Sequence, residues 1–283
     1  MTTVNPDRSS GPRIELDKSR PQSARMYDYY LGGKDNYEVD RMAAEEALTA
    51  WPGGRIFAPQ TRRYLLRVVR HLAAEHGIRQ FLDIGTGIPT SPNTHEAAQR
   101  AAPDARVVYT DYDPIVLTHA RVLMNSTAQG RIDYIHADLR DPDSILGHPC
   151  LTGDDPALNL DRPVALMLIA VLHFLPDDDA PHPIVQRLVD ALPSGSFLAL
   201  SHVTGDHNPE QIEKGTAAYL ARGVRIQHRS RADVLRFADG LELVEPGLAN
   251  IHQWRPDPAA DGATAESVTP AEVSCYGLVA RKP

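Results

Sequence analysis

The sequence predicts an α/β protein built on a mostly parallel, seven-stranded sheet with an antiparallel C-terminal hairpin and a helical N-terminal extension. Three observations carry this. Short apolar runs alternate with helix-length segments from about residue 79 onward, the rhythm of parallel strands joined by crossover helices. The first run, Phe81-Leu82-Asp83-Ile84, ends in the glycine turn Gly85-Thr86-Gly87, as a strand feeding a ligand-binding loop does. The last two apolar runs, near 241–246 and Ser274–Ala280, are separated by the Pro/Ala/Asp-rich segment 255–272. That segment holds no crossover helix, so the two runs pair antiparallel at the sheet edge.

Taken in order, residues 1–20 are polar, rich in Pro, Ser and Arg, and lack periodicity, which predicts a flexible tail. Residues 21–58 form the helical extension. A short helix from Ser23 to about Tyr30 is broken by Leu31-Gly32-Gly33-Lys34-Asp35-Asn36, and a second helix runs from about Val39 to Ala50. The aromatic density of Arg25–Tyr30 beside paired glycines suits a lid, with Tyr27, Tyr30 or Asn36 facing a bound acceptor. It equally suits an amphipathic helix that packs its tyrosines on the sheet.

The main domain spans 59–283. Its first helix, about 60–76, carries the apolar stripe Leu65, Leu66, Val68, Val69 and Leu72, with Arg63, Arg67 and Arg70 expected on a solvated face. Strands are expected near 79–84, 106–110, 132–136, 163–170 and 196–201, with helices near 94–102, 114–127, 181–192 and 230–238. Pro89 and Pro92 delay the helix after the glycine turn, and Asn93 or Thr94 caps it.

Composition narrows the function classes. A net charge of −8 gives no global attraction to a phosphate backbone, and no nucleic-acid module is visible. The two cysteines, Cys150 and Cys275, make neither a disulfide framework nor a metal cluster, and the 12 histidines lack companion ligands at metal-binding spacing, so no metal is expected. The first residues lack the basic and apolar regions of a signal peptide, and the longest apolar run, Val164 to Leu175, is too short to span a bilayer. A cytoplasmic protein without a membrane partner is expected. Oligomeric state has no sequence signal.

The acidic residues at the strand ends carry the chemistry. Asp83-Ile84-Gly85-Thr86-Gly87 is followed by Arg106-Val107-Val108-Tyr109-Thr110-Asp111, whose carboxylate falls about where a ribose-binding acid does. A third element, Ala137-Asp138-Leu139, follows the third strand, and the trio points to an adenosyl cofactor. Asp113 before Pro114 reads instead as a helix cap.

This order of elements resembles the class I S-adenosylmethionine-dependent methyltransferases, whose fold is Rossmann-like, over residues from about 60 to the end. More specifically, Ala24–Asn36, Phe81–Thr90 with Asn93-Thr94-His95-Glu96, and Ala170-Val171-Leu172-His173-Phe174 resemble an actinobacterial S-adenosyl methyltransferase family formerly labelled as a domain of unknown function. The resemblance brings no substrate.

On this reading, S-adenosyl-L-methionine is the cofactor and S-adenosyl-L-homocysteine the product. Gly85, Thr86 and Gly87 admit the methionine and ribose portions, and Asp83 is oriented toward the ammonium. Asp111 accepts from the ribose hydroxyls, Tyr112 lies along the adenine, and Asp138 with the Leu139 amide reads the adenine edge. His173, just past the fourth strand, is the candidate acid/base or substrate-orienting group, with a structural histidine as the competing reading; His202, at the end of the next strand, is a weaker second. The expected activity is methyl transfer to a small molecule. A catalytically silent S-adenosylmethionine-binding regulator stays open, and an NAD-dependent oxidoreductase is disfavoured by Thr90 where a third glycine would be expected.

Overall fold

The computed structural model describes residues 18–257 and 268–283. The tail expected over residues 1–20 therefore lies outside the described residues up to residue 17, as does most of the loop expected at 255–272.

Five parallel strands lie in the order β3 (Arg131–His136), β2 (Arg106–Asp111), β1 (Gln80–Ile84), β4 (Ala165–Leu168) and β5 (Phe197–Val203). Beyond β5, β6 (Glu242–Leu243) and β7 (Ala249–Asn250) both pair antiparallel with the long β8 (Cys275–Arg281), which itself runs antiparallel to β5. The C-terminal pairing is the expected one. The two-residue β7 is additional, because the segment after β6 turns back onto β8 within six residues.

Both faces of the sheet are covered, so its strands read as continuous apolar runs. Successive residues point to opposite sides. Phe81, Val107, Met167, Ala199 and Val279 face one core with α3 (Gly54–Ala74) and α4 (Thr94–Ala101). Leu82, Val108, Leu166, Leu198 and Leu278 face the other, with α8 (Pro181–Asp190). Between these lie α5 (Pro114–Leu123), α6 (Pro142–Leu146) and α7 (Pro149–Thr152).

The N-terminal helices α1 (Ser23–Tyr30) and α2 (Glu38–Ala50) match the expected pair closely. They are joined by a buried ion pair, Arg25 Nε to Asp40 at 3.1 Å, and Asp40 also accepts from the Gln22 and Tyr37 amides. The glycine-rich turn between the helices is closed by Asp28, whose carboxylate accepts from the Asp35 amide and the Asn36 side chain.

Three expectations need correction. Helix α3 starts at Gly54 and carries Pro59 within it, because the extra N-terminal turn buries Phe57 and Ala58. Arg67 is buried rather than solvated, its guanidinium donating to the carbonyls of Ile251 and Trp254. A helix absent from the sequence reading, α9 (Pro209–Ala221), follows β5; its Asn208 cap accepts from the Gln211 amide ahead of Pro209 at the first helical position. The helix expected at 230–238 is α10 (Arg231–Leu235) continued by a 3-10 turn.

Candidate functional site

The parallel register aligns Ile84 with Thr110 and Asp111 with His136, so the carboxyl ends of β1, β2 and β3 open on one edge. Ligands bind at this edge in open α/β sheets. After β1 the chain turns through Gly85 and Gly87, at φ +74° and +64°, a region that costs other residues energy. Gly85 has a second reason to lack a side chain: an added Cβ would lie 2.4 Å from Val171 Cγ2. Asp83 is buried at the end of β1, where its carboxylate accepts from the Thr94 hydroxyl at 2.6 Å. Thr94 thus holds Asp83 in place, while the Glu96 carboxylate satisfies the Asn93 amide at the start of α4.

At the end of β2, Asp111 accepts from the Gly87 and Asp113 amides, both at 2.9 Å. Asp113 accepts from the Ile115 amide at 2.9 Å, the capping role expected of it. Burial pushes the Asp83 and Asp111 carboxyls up to about 6, only partly offset by these hydrogen bonds. Asp138, after β3, behaves differently. Its partial burial acts to raise its pKa, but Arg140, which donates to both oxygens, holds it below the ordinary value. Leu139 is buried beside it, and the exposed Tyr112 donates its hydroxyl to Gln22 Oε1 at 3.0 Å.

After β4 the backbone passes through Ala170 at φ +56°, a strained conformation for a residue with a Cβ, braced by a hydrogen bond from its amide to Ser201 Oγ. A 3-10 turn then presents His173, which is buried and whose Nδ1 has no hydrogen-bond partner. Burial first, and the charge of Arg229 second, lower its pKa to about 3, so the ring is neutral at physiological pH. Arg229 donates to the carbonyls of Leu172 and Leu175, to Asp177 and to His202 Nε2. Since Arg229 can only donate, His202 Nε2 accepts and its Nδ1–H donates to the Val203 carbonyl.

These strand-end groups face a cavity of about 700 Å³, roofed by α1 and α9. Asp83, Gly85, Thr86, Gly87, Asp111, Tyr112, Asp138, Leu139, His173, Tyr27 and Tyr30 all line it. Two sequence candidates do not. Asn36 is consumed in the Asp28 turn, and His202 lies behind His173, bonded to Arg229 on one side and backbone on the other. Among the described residues, no group of three or more His, Cys, Asp or Glu side chains is placed to hold a metal ion.

Comparison with known proteins follows the same geometry. The family model described as S-adenosyl methyltransferase matches residues 9–283. The chain belongs to this family. An S-adenosyl methyltransferase family relationship is also visible in solved structures. A Streptomyces avermitilis protein of the DUF574 family is 48% identical over 95% of this chain and 100% of its own, with a TM-score of 0.90. A Thermobifida fusca protein, assigned provisionally as a methyltransferase, is 39% identical over 97% and 99% of the two chains, with a TM-score of 0.84. The plantazolicin methyltransferase BpumL, solved with S-adenosylhomocysteine, covers 92% of this chain and 95% of its own at 10% identity and a TM-score of 0.50, a likeness of fold. A search of curated proteins gives no match.

The chain is therefore an S-adenosylmethionine-dependent methyltransferase by family and fold, and its cavity fits that cofactor. The turn has room where Gly87 lacks a side chain, and three carboxylates stand at separate points along one side. Several lining residues were not singled out from sequence: Arg62 and Phe57 of α3, Trp51, Phe174, and Ile212, Gly215 and Tyr219 of α9. For α9 a signal existed in Asn208-Pro209-Glu210, a cap followed by a proline and an acid. Arg229, in the segment that follows α9, carried none. No described helix is long and apolar enough to cross a membrane.

Proposed function

We propose that this methyltransferase acts on a small molecule held under α1 and α9, with the donor along the ends of β1–β3. One observation carries the reading: a single cavity joins the acidic, glycine-lined strand ends to the neutral, unpartnered His173 beneath a two-helix roof. When bound, the cofactor supplies an electrophilic methyl group on a sulfonium sulfur.

The chain's own residues then have separable tasks. Asp83 and Arg62 would complement the cofactor's ammonium and carboxylate; Arg62, which also donates to the Thr90 and Pro92 carbonyls, is near enough to act electrostatically on Asp83. Asp111 accepts from the ribose hydroxyls, since each oxygen has a lone pair beyond its bond to backbone. Asp138 and the Leu139 amide meet the adenine edge, with Tyr112 beside it. Gly85 and Gly87 let the backbone approach. His173 orients the acceptor by one hydrogen bond, and because it resists protonation it does not store the acceptor's proton. Residues 21–58 act as the lid, tied to the donor side by the Tyr112–Gln22 hydrogen bond, and exclude water from the reacting atoms.

Calorimetric titration with S-adenosylmethionine, S-adenosylhomocysteine and NAD tests the donor assignment. Binding of both adenosyl ligands and not NAD is the expected result, and NAD binding alone would overturn it.

A further inference from the structure

Beyond the donor side, the cavity wall has an ordered composition. Six aromatic side chains follow one another around it. Tyr30 and Tyr219 share a hydrogen bond at 2.8 Å, and Tyr219 and Phe174 have ring centroids 6.4 Å apart. Phe174 meets His173 at 4.4 Å, His173 meets Phe57 at 6.2 Å, and Phe57 meets Tyr27 at 6.4 Å. Tyr27 and Tyr30 are three apart on α1, which closes the circuit. The tyrosine hydroxyls are already used, Tyr27 on the Ala58 carbonyl and Tyr30 with Tyr219, so the wall offers ring surface rather than hydroxyl groups.

Charge is segregated along the same cavity. Every carboxylate in its lining, Asp83, Asp111 and Asp138, belongs to the β1–β3 ends, and none of its described lining residues on α1, α3 or α9 is acidic. Two positive charges act on the collar, Arg62 on Tyr27 and Arg229 on His173, while Tyr30 lies in the opposed fields of Glu45 and Arg55. A ring-lined site without an acid, beside two arginines and a donor that carries a sulfonium, repels a cationic amine even though aromatic faces attract cations elsewhere.

We infer that the collar of Tyr27, Tyr30, Phe57, His173, Phe174 and Tyr219 is an acceptor subsite selective for a planar aromatic molecule that is uncharged or anionic. This rests on reading the same cavity as a methyl-transfer site. The ring edges and faces of the collar match aromatic stacking and edge-to-face contact.

The test is calorimetric titration of the full chain, saturated with S-adenosylhomocysteine, with 2-naphthol, cyclohexanol and tetramethylammonium as probes. Binding of 2-naphthol in preference to both others is expected, with about fivefold weaker binding in Phe174→Leu and in Tyr219→Leu and S-adenosylhomocysteine affinity unchanged in each. Preference for tetramethylammonium, equal binding of cyclohexanol, or no naphthol binding by a protein that still takes S-adenosylhomocysteine would each overturn the subsite while leaving the donor reading intact. Failure to bind S-adenosylhomocysteine would overturn both.

Discussion

The Asp111 carboxylate accepts a hydrogen bond from the Gly87 amide at 2.9 Å, so the end of β2 braces the turn that follows β1. The bond fixes a loop with two positive-φ glycines in the conformation that leaves room for a ligand. Asp111→Ala removes the brace and the ribose acceptor together. Its affinity for S-adenosylhomocysteine should fall by about 1–3 kcal/mol in calorimetry. Wild-type affinity in a folded Asp111→Ala protein would place the ribose elsewhere.

Gly85 should tolerate no side chain. In Gly85→Ala the methyl group would meet Val171 at 2.4 Å in a backbone region unfavourable to alanine. A loss of about 1–3 kcal/mol in denaturant unfolding is expected. Adding Val171→Ala should restore only part of it, since that change removes the Cγ2 contact but leaves the residue's Cβ at 2.7 Å and the backbone strain. A neutral Gly85→Ala would contradict the close approach.

Asp83 and Asp111 give the free protein a distinct pH dependence. Their folded pKa values, about 6, lie above the ordinary carboxylate value, so the native state binds more protons than the unfolded chain between about pH 4 and 6. Their stabilising contribution is complete below that interval and is lost as the pH rises through about 6. Urea unfolding of wild type against Asp83→Asn should show the slope of stability with pH reduced in the variant across this interval. Ionised, the same groups accept more strongly and with both oxygens from a ligand's donors, so adenosyl-ligand affinity should increase through about pH 6. A flat affinity profile would separate these acids from binding.

The Arg25–Asp40 pair should be the keystone of the N-terminal helices. Both side chains are buried, and Asp40 also satisfies two backbone amides. Asp40→Ala removes the carboxylate that balances the buried Arg25 guanidinium, with an expected loss of about 3–5 kcal/mol shared between global stability and local opening of α1. Limited proteolysis should cut the variant near residues 18–37 first. Protection equal to wild type there would show that α1 is held by its aromatic contacts instead.

Much of the acidic, glycine-lined end of the cavity was legible because it is written locally. A strand, a glycine turn and an acid fall within seven residues in Phe81–Gly87, and Asp111 and Asp138 recur at strand ends whose alignment follows from parallel pairing. The aromatic end of the cavity was not legible in the same way. Phe57 and Tyr219 carry no local signal, Phe174 enters only within the motif that ends in it, and only packing of α3, the β4 exit and α9 brings the three together. His202 was a fair candidate by position, but Arg229, a residue 27 positions later, turned it into a supporting group. Asn36 was misplaced because its glycine-rich surroundings hid the buried Asp28 that holds it.

The hydrogen bond between Tyr30 and Tyr219 joins residues separated by 189 positions. During synthesis, the cradle from Asp83 to Leu139 leaves the ribosome before the residue that seals the chamber exists. The nascent chain thus passes through a stage in which the segments proposed to hold the donor are fully translated while the wall proposed to face the acceptor is still incomplete. A chain stopped short of α9 would keep the first strand-end turns but lack both this wall of the cavity and the later strand β8 that pairs with β5.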